Sequence, residues 1–154
     1  QKLINIKKPI LDKELMKGYY LDEDELHKDT IDFAIVSYNE TWKRKGNDGI
    51  INIRITLYMD KMIANFNMKM LKDSGLKESQ HFSKGFGKKY YYHIGRSIKH
   101  GGFTHINPVQ LIFIKGDVIK VSINGNGPYG DPPTDSPDEF IEKVARHLEK
   151  VVKT

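Results

Sequence analysis

Two apolar runs, residues 109–114 and 118–123, are separated only by Lys115-Gly116-Asp117. A linker this short has no room for a crossover helix, so the runs return on each other as an antiparallel hairpin. Upstream, Ile51, Ile53, Ile55 and Leu57 alternate with Asn52, Arg54, Thr56 and Tyr58. That period of two makes a strand with one face in the core and the other toward water or a partner. Residues 30–38 carry the same signal through Ile31, Phe33 and Ile35, and the charged, turn-forming 43–49 closes a hairpin between these two strands. A further strand is expected over 88–94. Consecutive strands joined by short turns pair antiparallel, which excludes a doubly wound parallel sheet.

Two helices complete the pattern. From Asp60 to Ser74, Met62, Ile63, Phe66 and Met70 form one stripe of a 3.6-residue period, read here as core, with Asp60 as N-cap and Gly75 as the stop. Ser136-Pro137-Asp138-Glu139 combines a capping Ser, Pro at the first helical position and Glu at N3. The helix it opens carries Phe140, Ile141, Val144, Ala145, Leu148, Val151 and Val152 on one stripe. The class is therefore α+β: an antiparallel sheet of about five or six strands covered by two main helices. At 154 residues the chain has the length of one domain. Residues 1–17 read as an N-terminal arm or edge segment, and 18–154 as a single domain. Asp22–Glu25 reads as a solvated acidic turn, and 124–135, rich in Gly, Pro and Asn, as a loop.

Composition narrows the chemistry. The chain has no cysteine, which removes disulfides, thiolate nucleophiles, zinc–cysteine sites and iron–sulfur clusters. It contains no nucleophile elbow, zincin, P-loop or Rossmann glycine motif, so no enzymatic activity and no cofactor are expected. His81, His93, His100 and His105 share one window, but no two have the i, i+2 or i, i+4 spacing of metal ligands on a strand or helix. Asp131, Asp135, Asp138 and Glu139 are better read as turn and cap residues than as calcium ligands. The longest apolar run is about six residues, short of a membrane span. The sequence begins at Gln1 without a signal-like apolar segment, as a trimmed or processed chain does, with a slight lean to an extracytoplasmic setting.

The most unusual stretch is 81–105. It carries Lys84, Lys88, Lys89, Arg96 and Lys99 with no Asp or Glu, a local charge equal to the net +5 of the whole chain. Phe82, Phe86, Tyr90, Tyr91, Tyr92 and Phe103 are interleaved with them, and five glycines lie between. Cations beside aromatic rings suit an anionic partner: phosphates for the charges, bases for the ring faces. An anionic membrane surface or an acidic polysaccharide would meet the same chemistry. The simpler alternative is a half-buried tyrosine strand whose lysines protect a sheet edge. If the window is a site, Lys88, Lys89, Arg96 and Lys99 attract the anion, and Phe86 and Tyr91 stack or pack on it.

Within it, Lys84-Gly85-Phe86-Gly87 resembles the first half of the RNP1 signature of RNA-recognition motifs. Lys88 and Lys89 then stand where that signature has an aromatic and an aliphatic residue, so no functional residue is carried over. The order of elements over 30–152, with the tyrosine-rich strand, the 109–123 hairpin and the final helix, resembles the PsbP/Mog1-type sandwich and lipoprotein domains similar to it. That resemblance implies an extracytoplasmic domain that acts by binding. The expected function is recognition, without catalysis, of a protein partner or an anionic ligand. The alternative is a nucleic-acid-binding module built on the same residues.

Overall fold

The computed structural model describes residues 6–28 and 34–152. The elements are β1 (Tyr19–His27), β2 (Ala34–Arg44), β3 (Ile50–Tyr58), α1 (Lys61–Asp73), β4 (Tyr90–Ile94), β5 (Ile98–His100), β6 (Phe103–His105), β7 (Val109–Lys115), β8 (Ile119–Asn126) and α2 (Pro137–Val151). Six strands form one antiparallel sheet in the order β1-β2-β3-β8-β7-β4, and β5 and β6 pair as a separate hairpin. This is the α+β class expected from the sequence.

The two helices lie on opposite faces of the sheet. Neighbouring residues of a strand point to opposite faces, and the core divides accordingly. Tyr90, Leu111 and Phe113 join the main core with α2, whereas Tyr91 and Ile112 pack with Met68 of α1. The α2 helix starts as expected: Ser136 Oγ accepts from the Glu139 N–H at 3.1 Å, and Phe140, Ile141, Val144, Ala145 and Leu148 are buried. Ile51, Ile53 and Ile55 of β3 are fully buried beneath it.

Four expectations need correction. Asp22–Glu25 is not a turn but the middle of edge strand β1, which absorbs it through a register shift between Leu21 and Glu23. Four carboxylates on an outer strand repel a second sheet edge, which makes a charged strand at home there. The segment read as an arm packs inside the domain: Ile10, Leu11 and Met16 belong to the main core. Of the strand expected over 30–38, Ile31 and Phe33 lie outside the described residues; Ile35 is only half-buried, because a register shift between Ala34 and Val36 turns Val36 and Tyr38 into the core instead.

The fourth correction concerns α1. Its caps match the reading: Asp60 Oδ1 accepts from the Ile63 N–H at 2.9 Å, and Gly75 follows at φ +105°. Its stripe does not. Met62, Phe66 and Met70 are 78%, 60% and 55% exposed, while Ala64 and Met68 are buried against the sheet. The helix has apolar residues on two faces, and its smaller face faces inward. Ala64 permits close approach to Tyr58, and Met68 fills the space beside Tyr91 and Ile112.

The buried Glu40 holds the N-terminal segment in place. Its carboxylate accepts from the Ile10 N–H (2.7 Å), the Leu11 N–H (3.0 Å), the Tyr38 hydroxyl (2.5 Å) and the Trp42 indole N–H (2.7 Å). A buried carboxylate is tolerable only when its oxygens are saturated with donors in this way.

Candidate functional site

The 81–105 window is divided by the fold into three parts. The first, 82–87, is an anchored turn. Phe86 is fully buried, stacked 5.3 Å from Phe113 and capped by the Arg146 guanidinium 3.9 Å from its ring centroid. Arg146 also donates to the carbonyls of Lys84 and Gly85 and pairs with Glu142 and Glu149 at 3.0 Å each. Gly87 sits at φ +60°, where a Cβ would come within 2.3 Å of the Ile114 carbonyl oxygen. Gly87 and Phe86 of the RNP1-like tetrapeptide are thus explained by packing, with no Phe86 ring face left for a base.

The second part, β4, runs along the sheet edge beside β7. Tyr90 faces the main core and Tyr91, 1% exposed, lies under α1. Phe86 and Tyr91 are therefore corrected as candidate ligand contacts: both are core residues. Tyr92 points its hydroxyl at Asp138, to which it donates, and His81 Nε2 lies 2.8 Å from the other oxygen of the same carboxylate. Burial pushes the Asp138 carboxyl up, but the hydrogen bonds from Tyr92 and His81 outweigh it and hold the group below the ordinary carboxylate range. Burial, reinforced by Asp138, pushes the Tyr92 phenol well above its usual value. With both carboxylate oxygens engaged, this cluster ties the 79–82 segment to the start of α2 and offers no free base.

The third part is β5 and β6 with the loop before them, which carries Arg96 and Lys99, both exposed. These two cations lie beyond one end of β4 and Lys88 and Lys89 before the other. Five strand residues between them span about 16 Å, so the four cations do not form one cluster.

Lys88 and Lys89 join a different partner, Lys61 at the start of α1. With Asn65, Met68, Ile114, Gly116 and Asp117 they line a groove of about 510 Å³. That volume falls within the range of small-ligand sites. The fold explains the meeting. The Ala64–Met68 face of α1 lies over β7, and the hairpin turn at Gly116-Asp117 closes the end of the groove between the helix and the entry to β4. Asp117 Oδ1 stands 3.9 Å from both Lys61 Nζ and Lys88 Nζ. Lys89 makes no ion pair among the described residues, so the groove keeps an excess of positive charge over an apolar floor of Met68 and Ile114. Lys61 is the member that sequence reading missed; it is 27 positions from Lys88 and only the packing of α1 brings it there.

The segment read as a loop over 124–135 begins as strand, since 124–126 complete β8, and the remaining 127–135 is pinned. Buried Tyr129 donates to the Asn107 carbonyl at 2.7 Å and stacks on Phe140, and Arg44 donates to the Gly130 carbonyl and lies 3.8 Å from Asp131. Among the described residues no three His, Asp or Glu side chains converge as metal ligands, and no helix is long and apolar enough to cross a membrane.

Fold and groove together define a class: a small antiparallel-sheet domain with one helix on each face and a cationic recess at its edge. In the comparisons with known proteins, the chain matches no family model and no curated protein. Among solved structures it is similar to the extracellular domain of PknH from Mycobacterium tuberculosis, with a TM-score of 0.51 and 8% identity over 90% of this chain and 88% of that one. At that identity the likeness is one of fold.

Proposed function

We propose that this protein is a non-enzymatic recognition domain that binds an anionic partner in the groove between α1 and the start of β4. The observation that carries the reading is the convergence of Lys61, Lys88 and Lys89 around Met68 and Ile114, with Asp117 as the one opposing carboxylate lining it. Three ammonium groups at the mouth of a recess raise the local concentration of anions and hold one on arrival. The fold likeness to an extracellular domain favours an extracytoplasmic setting, and the resemblance to PsbP/Mog1-type domains favours binding as the role. A nucleic-acid-binding module is the weaker reading, because burial of Phe86 and Tyr91 removes the rings that would stack on bases.

The test is fluorescence anisotropy with a labelled sulfated oligosaccharide, a single-stranded RNA and a single-stranded DNA of equal length, at low and near-physiological salt. Saturable binding of the glycan that weakens with salt and is lost in Lys61→Ala/Lys88→Ala/Lys89→Ala supports the groove. Equal binding by that variant overturns it. A steep salt slope with preference for RNA or DNA restores the nucleic-acid reading.

A further inference from the structure

Among the described residues, the outer face of α1 carries three of the exposed large apolar side chains together. Met62, Phe66 and Met70 are 78%, 60% and 55% exposed, and their spacing of four and four places them on one stripe of the helix; Met59, 61% exposed, lies just before the N-cap Asp60. The stripe runs about 12 Å along the helix axis. Lys61, Lys69 and Lys72 project from the same helix, whose only acid is Asp73 at its last position, and Lys88 and Lys89 stand beside it across the groove. Lys69, Lys72 and Lys89 make no ion pair among the described residues. The arrangement is convex: a helix lying on the sheet through Ala64 and Met68, with its large apolar side chains pointing away from the domain.

From this arrangement we infer that α1 is a membrane-surface element, whose outer face enters the headgroup boundary of an anionic bilayer while the lysines contact lipid phosphates. The inference rests on the anion-binding reading of the groove and names the anion's source. An amphipathic helix with Phe and Met on one side and lysines along one flank has the chemistry that such surfaces select. Long lysine stems can lie along apolar surface and still place their ammonium groups at phosphate level. A peptide helix would need a concave groove to lie in, and this face protrudes. A second copy of the chain would bring one lysine-flanked stripe against another.

The experiment is co-sedimentation with phosphatidylcholine vesicles, with and without phosphatidylglycerol, using the whole chain. Three variants accompany it: Met62→Gln/Phe66→Gln/Met70→Gln, Lys88→Ala/Lys89→Ala, and the two combined. The substituted side chains are exposed, so unchanged urea midpoints certify the fold. The expected result is binding to phosphatidylglycerol vesicles and not to neutral ones. Each lysine near such a surface is worth about fivefold in affinity, so the lysine pair costs about 25-fold, and the glutamine variant about tenfold or more. Wild-type sedimentation by the glutamine variant overturns the inference while leaving the groove intact, provided the sulfated glycan still binds. Absence of vesicle binding, with concentration-dependent dimerisation that the glutamine variant abolishes, also overturns it and assigns the face to a second copy. Failure to bind vesicle and glycan alike overturns both readings.

Discussion

At the scale of single residues, Glu40 shows how one side chain decides where a whole segment goes. Sequence reading offers no reason to place 6–17 in the core, since Lys7, Lys8, Pro9, Asp12 and Lys13 look like solvated chain. The backbone amides of Ile10 and Leu11 nevertheless converge on the Glu40 carboxylate, which also takes the Tyr38 and Trp42 donors. Removing the acceptor leaves four buried donors without partners. Glu40→Ala is therefore expected to cost about 3–5 kcal/mol in urea unfolding, and Glu40→Gln, which keeps one carbonyl acceptor, about 1–3 kcal/mol. Hydrogen exchange adds a local readout: the Ile10 and Leu11 amides lose protection in Glu40→Ala ahead of the β3 and β8 amides. Uniform loss across all of them would mean that the carboxylate has no special hold on this segment.

At the scale of elements, periodicity and end signals located α2, β3 and β8 because each has one clear apolar face, and β7 because its apolar run, buried on both faces, ends in an unambiguous turn. Three strands escaped for physical reasons. The alternation in β1 is broken by its register shift and hidden by four consecutive acids. The β5–β6 hairpin is only three residues a side, too short for a period to show. Helix α1 was found but its face was misassigned, because periodicity reports that a stripe is apolar and not which of two stripes meets the sheet. The site was half legible. Lys88 and Lys89 stood out by charge, whereas the neighbouring rings looked available only because a sequence cannot show that Tyr91 lies under a helix. Substitution separates the two faces of α1: Met68→Ala is expected to cost about 2–5 kcal/mol, and Phe66→Ala to stay within about 0.5 kcal/mol in the absence of a partner. Equal losses in thermal or urea unfolding would show that the outer stripe is packed in solution.

At the scale of the whole molecule, charge and buried phenols set the pH range over which the fold holds. Asp138 is held below its ordinary range in the folded state, so its contribution is present above the unfolded value of about 3.9 and lost as pH falls through the folded one. The tyrosines act in the opposite sense. Tyr19, Tyr38, Tyr92 and Tyr129 are all raised above the usual phenol value, with burial as the leading cause in each. Their contribution is complete below about pH 10 and declines once the unfolded chain can ionise them and the folded one cannot. Tyr38 and Tyr92 have a second reason to stay protonated, since each donates to a carboxylate that would repel a phenolate. Stability measured by urea titration should therefore be level through the neutral range, fall in acid below about pH 4, and fall again above about pH 10. Tyrosinate absorbance should rise together with the loss of structure on the alkaline side. Tyr92→Phe isolates one coupling: it removes the hydrogen bond that helps to depress Asp138, so the acid limb should move to higher pH. An acid limb that does not move in Tyr92→Phe would show that His81 alone holds the carboxylate.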